Sequence, residues 1–297
     1  MARVLLIHNP EAARTQSSLV QSICGVFKRA GWSVEAPGTE HPDRSAEIAD
    51  QGVSAGVDVI AVYGGDGTVN AVAGKVGSQV PIGLIPGGTG NLLAGNLRLP
   101  RNPTQAARVI VKGAPRSIDL GRLAGSGGVR HFTVACGAGF DAELMAATTG
   151  EAKRRWGMGA YVATAWGVMA ANEAVKYRIV VDGANFEVKA ASVIVANCGE
   201  IIPPFLRLRP GILPDDGLLD VVVLNATGMI ESAAVLWQLA TGQTADNGRV
   251  KHIRGSQVSV ESDMPRPVEL DGEPAGMTPF TAQVIKGGIR VILPAHG

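Results

Sequence analysis

The sequence predicts two domains of different class: an α/β domain with a mostly parallel sheet, then an antiparallel β-rich domain. Three observations predict this. Up to about residue 112, apolar runs alternate with segments of helical spacing, as βαβ crossovers require. From Ser117 onward, short β-rich runs are separated by Asp-Gly, Gly-Gly or Pro turns, the pattern of a sandwich or half-barrel. Within the first part, Val57–Tyr63 and Val80–Ile85 each end abruptly in glycine with a hydroxyl residue close behind.

Taken in order, Val4–Ile7 is a buried strand broken by Asn9-Pro10. Leu19, Ile23, Val26, Phe27 and Ala30 recur at helical spacing, and Gly31 is placed to stop that helix. Trp32–Ala36 is the second strand and enters the turn Pro37-Gly38-Thr39. Ala46, Ala49 and Val53 mark a helix capped from Asp43 or Ser45, and Pro103–Lys112 is a helix begun by proline. Beyond it, Tyr177–Val181, Phe186–Val195, Leu219–Leu224, Gln257–Glu261, Pro267–Leu270, Thr281–Ile285 and Ile289–Leu293 are the expected strands. Asp182-Gly183 signals a hairpin. Two helices, about Trp156 to Ala171 and Met229 to Thr241, interrupt the β-rich part.

Bulk composition excludes more than it selects. The 27 basic and 26 acidic side chains nearly cancel, so nothing argues for a nucleic-acid partner. Cys24, Cys136 and Cys198 are isolated among apolar residues, with no metal-ligand spacing and no disulfide framework. They read as small buried hydrophobes in a reducing cytosol. No apolar run approaches the roughly 18 residues a bilayer span needs. The expectation is a soluble, cytoplasmic chain that can still touch the inner membrane surface.

The chemistry concentrates in two turns, Gly64-Gly65-Asp66-Gly67-Thr68 and Gly87-Gly88-Thr89-Gly90-Asn91. A buried strand emptying into a glycine turn and then a helix presents backbone N–H groups to phosphate. Glycine is expected to supply close approach and positive φ, and the helix N-terminus a partial positive charge. Asn9, Thr39 and both turns follow strand carboxyl ends, where ligands of parallel sheets sit. Asp66 can hold magnesium against phosphates, or simply form the turn. Thr68 and Thr89 can contact phosphate or cap helices, and Asn70 and Asn91 are equally open.

Gly64-Gly65-Asp66-Gly67-Thr68-Val69-Asn70 followed by Pro86-Gly87-Gly88-Thr89-Gly90-Asn91 resembles the diacylglycerol kinase catalytic-domain family. Ser117-Ile118-Asp119-Leu120-Gly121, Pro214–Asp220 and Leu270-Asp271-Gly272-Glu273-Pro274 extend the resemblance along essentially the whole chain. The resemblance implies an N-terminal domain like those of NAD kinases and phosphofructokinases, spanning 1–122 with a return strand near 288–297. A β-sandwich lipid-substrate domain would span 123–287.

It also implies ATP- and Mg2+-dependent phosphorylation of a lipid hydroxyl, most simply diacylglycerol to phosphatidic acid. A sphingoid-base kinase is the nearest alternative, and a nucleotide-binding regulatory protein without catalysis another. Carried over by position, nucleotide contacts fall on Asn9, Thr39, Gly65, Asp66, Gly67, Thr68, Val69, Asn70, Ala71 and Thr89. Glu273 aligns with the general base, and Asp66 shares the catalytic work by positioning Mg2+–ATP. A structural metal aligns with the Asp216 carboxylate and the Leu213 and Leu218 carbonyls, and Asp119 with the magnesium network. The partners implied are ATP and a lipid at the membrane surface, and a homodimer is compatible with them.

Three departures stand out. Ala71 replaces the family's usual Glu, Leu92 replaces a common Asp, and the opening loop has Arg14 where a Gly-Lys is usual. On the lipid side, Lys153-Arg154-Arg155 before Trp156 suggests either an interfacial or a core-packing helix. Ile201–Leu206 is an apolar loop that lines a lipid entry or packs inside.

Overall fold

The computed structural model describes residues 1–10, 17–39, 41–139, 173–226, 228–242 and 250–295. The chain divides into two units, Met1–Leu120 with Ile285–Gly297, and Gly121–Val284. The expected helix at 156–171 and Arg14 lie outside the described residues.

The first unit alternates strand and helix: β1 (Arg3–His8), α1 (Ser17–Arg29), β2 (Ser33–Glu35), α2 (Pro42–Ser54), β3 (Val59–Gly64), α3 (Asp66–Val76), β4 (Ile82–Pro86), α4 (Leu92–Asn96) and α5 (Pro103–Lys112). The strands lie in the order β2-β1-β3-β4, all parallel. Every residue of β3 and β4 is buried, which is why both read as unbroken apolar runs. On one face Leu6, Ala61 and Tyr63 pack with Phe27 of α1 and Ile110 of α5. On the other, α2 comes so close to β1 that a Cβ on Gly52 would meet Leu5 Cδ2 at 2.5 Å.

Local chemistry explains the helix ends. Gly31 takes φ +78° after α1, as a left-handed stop does. Asn102 caps α5 by accepting the Gln105 N–H, with Pro103 in the first turn. The cap expected for α2 from Asp43 or Ser45 is not used. That helix starts at Pro42, whose ring already removes one orphan donor, and Ser45 instead donates its hydroxyl back to the His41 carbonyl.

Later strands are β5 (Ala114–Gly125), β6 (Gly128–Phe132), β7 (Ala135–Ala138), β8 (Val175–Val181), β9 (Ala184–Ala190), β10 (Ser192–Ala196), β11 (Glu200–Ile202), β12 (Leu206–Arg207), β13 (Leu219–Leu224), β14 (Val250–Gly255), β15 (Gln257–Ser262), β16 (Pro267–Leu270), β17 (Glu273–Met277) and β18 (Phe280–Leu293). Helix α6 (Gly228–Thr241) falls between β13 and β14. In the second unit one sheet runs β14-β13-β10-β7-β16-β17, antiparallel throughout. Facing it, the first part of β18 pairs with β15, β15 with β8, and β8 with β9. Val195, Val221 and Leu270 from the first sheet share one core with Ile179, Val258 and Phe280 from the second, so this unit is a β-sandwich. The second part of β18 joins the parallel sheet of the first unit, with Val291 opposite Ile82.

Two expected strands are divided differently. The run Phe186–Val195 breaks at Ala191 into β9 and β10, which belong to different sheets. Thr281–Ile285 and Ile289–Leu293 are one strand, because Gly287 at φ +57° bends β18 without ending it. Cys136 and Cys198 are buried free thiols, and burial raises the pKa of both.

Candidate active site

Backbone hydrogen bonds gather several expected site residues at one strand edge of the first unit. Asn9 N–H donates to the Tyr63 carbonyl at 3.1 Å, and Thr39 N–H to the His8 carbonyl at 2.9 Å. Asn9, Thr39 and the turn after β3 therefore share the carboxyl edge. Thr39 is buried and spends its hydroxyl on the His41 carbonyl, so its contribution to an open site is positional.

The two glycine turns lie against each other. Gly87 and Gly88 N–H both donate to the Gly64 carbonyl, at 2.9 and 3.2 Å. A Cβ on Gly88 would stand 2.6 Å from Gly65 Cα, and one on Gly87 would meet the Tyr63 ring at 3.0 Å. Close approach is thus what these glycines provide. The expected positive φ is not found: no glycine of either turn has it, and the left-handed residue there is Asn91, at φ 51°. Asn91 folds its own turn, accepting Gly88 N–H at 2.9 Å and donating to the Gly88 carbonyl at 2.7 Å.

Asp66 links the pair. Its Oδ1 accepts the Leu92 N–H at 2.7 Å, across 26 residues of chain. Leu92 thereby supplies a backbone donor to the neighbouring turn. Asp66 opens α3, whose N-cap Gly65 makes no side-chain cap. Glycine at the N-cap brings no side chain over that end of α3, and the helix dipole there suits an anion. Gly65, Asp66 and Gly67 are partly exposed and Thr89 is exposed, whereas Thr68, Val69 and Asn70 are buried inside α3. Thr68 therefore sits within the helix and does not cap it.

Asp119 is almost wholly buried, and its Oδ1 accepts the Gly287 N–H at 2.7 Å, pinning the bend in β18. Among the described residues no three His, Cys, Asp or Glu side chains form a metal cluster. This fits magnesium only in its usual guise, held by substrate phosphates with one or two carboxylates and water.

In the second unit, Asp271 and Gly272 form a two-residue turn with φ 46° and 85° between β16 and β17. These are the angles of the hairpin turn that Asp-Gly favours. The buried Asp271 carboxylate accepts N–H bonds from Thr133, Val134 and Ala135 at 2.7–3.0 Å and the Thr133 hydroxyl at 3.0 Å. The turn so fixed presents Glu273 as the first residue of β17. Its Oε2 accepts from Arg130 Nη2 at 2.8 Å, while Arg130 Nη1 binds the Pro274 carbonyl. The Glu273 side chain stays 47% exposed, open to a proton donor. Glu269, two residues before the turn, has its carboxyl pushed up to about 8 by burial and then by Asp271. The sequence assigns no role to Arg130 or to the Asp271 carboxylate. Asp271 sits in a recognisable turn, but nothing local marks Arg130, which is 143 residues from Glu273.

Asp216 has partners of its own. Its Oδ1 accepts the Leu218 N–H at 3.1 Å and its Oδ2 is bound by Arg254 Nη2. Arg254 Nε also reaches Asp220 at 3.1 Å, and His252 binds the same Asp220 oxygen. A guanidinium already supplies the positive charge at this carboxylate. Arg254 and the Leu218 N–H thus occupy both oxygens of the Asp216 carboxylate, and no chemical step is routed through a metal there.

The chain is similar to known proteins along most of its length. The family model for the diacylglycerol kinase catalytic domain matches residues 3–123, and that for the YegS C-terminal NAD kinase beta sandwich-like domain matches 134–293. The chain belongs to the diacylglycerol kinase and YegS-like lipid kinase family. A diacylglycerol kinase of Mycobacterium tuberculosis is 30% identical over 252 residues, 82% of this chain and 80% of its own length. An uncharacterized Synechocystis protein is 26% identical over 275 residues, and this chain spans 63% of it. A crystal structure of a proposed diacylglycerol kinase from Bacillus anthracis has a TM-score of 0.82 at 25% identity, covering 98% of this chain and 95% of that one. Within the family, the glycine turns fall in the catalytic-domain match and Glu273 in the β-sandwich match.

Proposed function

We propose that this lipid kinase transfers the γ-phosphoryl group of ATP to diacylglycerol, giving phosphatidic acid. The observation that supports it most is the pairing of the two glycine turns at the N-terminus of α3, in a chain of this family. ATP phosphates would lie against the amides of Asp66, Gly67 and Thr68, with Gly65, Val69, Asn70 and Ala71 shaping the wall, and Thr89 and Asn9 at the rim. Magnesium, when bound, would neutralise charge on the phosphates, and Asp66 would hold it or its water. Glu273 would accept the proton of the lipid hydroxyl as the oxygen attacks phosphorus. Arg130 and the Asp271 turn hold that carboxylate in place.

The test is transfer of labelled phosphate from ATP to a panel of diacylglycerol, a sphingoid base and NAD. A labelled phosphatidic acid spot from diacylglycerol alone is expected. Label on the sphingoid base alone would move the assignment to a sphingoid-base kinase. A second reading, a nucleotide-binding protein without catalysis, is favoured by Ala71 and Leu92, which remove two carboxylates. It predicts ATP binding with no acceptor labelled.

A further inference from the structure

Helix α6 is apolar on both sides. Its sequence, GMIESAAVLWQLAT, has one charged residue, Glu231. Ser232, Val235, Leu236 and Leu239 are buried on one side. Met229, Ile230, Ala233, Trp237 and Ala240 are exposed, and helical spacing places them in one stripe. Exposure along it is high: 62% for Met229, 87% for Ile230 and 70% for Trp237. A helix with apolar residues all round is ordinarily covered on all sides. The helix packs against β12, and the turn of the β11–β12 hairpin carries a further exposed apolar residue, Phe205, at 45%. That hairpin is stiffened by the buried Glu200, bound by Arg207 Nη2 at 2.6 Å.

We propose that the α6 stripe docks this protein on the surface of a lipid bilayer. Two features favour lipid over protein as the occupant. The stripe offers one polar group, the Trp237 indole N–H, whereas a protein interface carries about one hydrogen bond per 100–200 Å2 and a polar rim. Trp beside Ile and Met instead matches the boundary between headgroups and acyl chains. The choice of lipid also rests on the lipid-kinase reading, because an acceptor with long acyl chains stays in its membrane and the enzyme must come to it. The stripe has no cation, and Arg207 on the neighbouring β12 is paired with Glu200. Docking is therefore by apolar insertion, insensitive to salt and independent of anionic lipid.

Flotation of the full chain with phosphatidylcholine vesicles containing diacylglycerol tests this, comparing wild type with the double variant Ile230→Gln, Trp237→Gln. Both positions are exposed, so the variant should keep its Tm. The vesicle-bound fraction should fall at least about tenfold, and that of the wild type should persist at high salt. Phosphorylation of a water-dispersed short-chain diacylglycerol should be the same for both proteins. A double variant that floats like the wild type overturns the proposal, and so does one that turns a wild-type dimer into a monomer, since a second copy would then cover the stripe. The short-chain assay judges the kinase reading separately: no turnover there, with flotation lost only in the variant, sinks the kinase and leaves the docking surface standing.

Discussion

The paired glycine turns of the first unit and the Asp-Gly-Glu hairpin of the second both hold a carboxylate in place, and both are built on glycine. In the turns, glycine is there because nothing larger fits: Gly88 rests on Gly65 backbone to backbone, with no glycine at positive φ. In the hairpin, Gly272 is there because the chain must turn with φ 85°, and a Cβ would be strained by conformation. The carboxylates differ as well. Asp66 is tied by the Leu92 amide, whereas Glu273 is tied by Arg130 and supported by a buried neighbour, Asp271, that takes three amides. The same residue type thus serves contact in one place and handedness in the other.

Substitutions can separate these roles. Asp271→Ala should have the largest effect on stability, because three buried N–H groups lose their acceptor at about 1–3 kcal/mol each. A large fall in denaturation midpoint is expected, and a fall of only a few tenths of a kcal/mol would mean water replaces the carboxylate. Gly88→Ala comes next, at about 1–3 kcal/mol from overpacking against Gly65. Gly272→Ala should cost about 1 kcal/mol through φ alone. If Gly88→Ala is as stable as the wild type, the contact role is lost, and if Gly272→Ala is, so is the role of handedness.

A further effect depends on pH. Glu269 is pushed up to about 8 from 4.5, so between those values the native protein keeps a proton that the unfolded chain has released. Stability conferred by this group is therefore complete below about pH 4.5 and is lost as pH rises through 8, a change of about 1–3 kcal/mol. Glu269→Gln should flatten the profile in urea titrations at pH 5 and pH 8. The smallest effect expected is that of chelation. With Arg254 on Asp216, EDTA should leave Tm unchanged, and a Tm that drops with release of one divalent ion would restore the structural metal.

Much of this was legible in the sequence where the chemistry is local. The alternation of strands and helices, the Asp182-Gly183 and Asp271-Gly272 turns and the place of the glycine turns follow from neighbours in the chain. The β9–β10 division was not legible, because a single residue, Ala191, carries the chain from one sheet to the other inside a continuous β-rich run. Strand β14 was missed because its charged residues, Lys251, His252 and Arg254, dilute the apolar signal, and two of them answer acidic residues on β13 and the loop before it. Arg130 could not be found because its partner lies far along the chain. The positive φ expected of the glycine turns failed for a related reason: the constraint comes from the other turn.

The division of labour between turns and hairpin is tested most directly by measuring ATP affinity and kcat together for Asp66→Asn and Glu273→Gln. An amide oxygen in place of the Asp66 carboxylate can still accept the Leu92 N–H, so both variants should fold. Glu273→Gln should bind ATP as the wild type does while kcat falls by about 10²–10⁴, and Asp66→Asn should weaken Mg2+-dependent ATP binding as well. A Glu273→Gln enzyme that retains wild-type kcat on diacylglycerol would contradict the account.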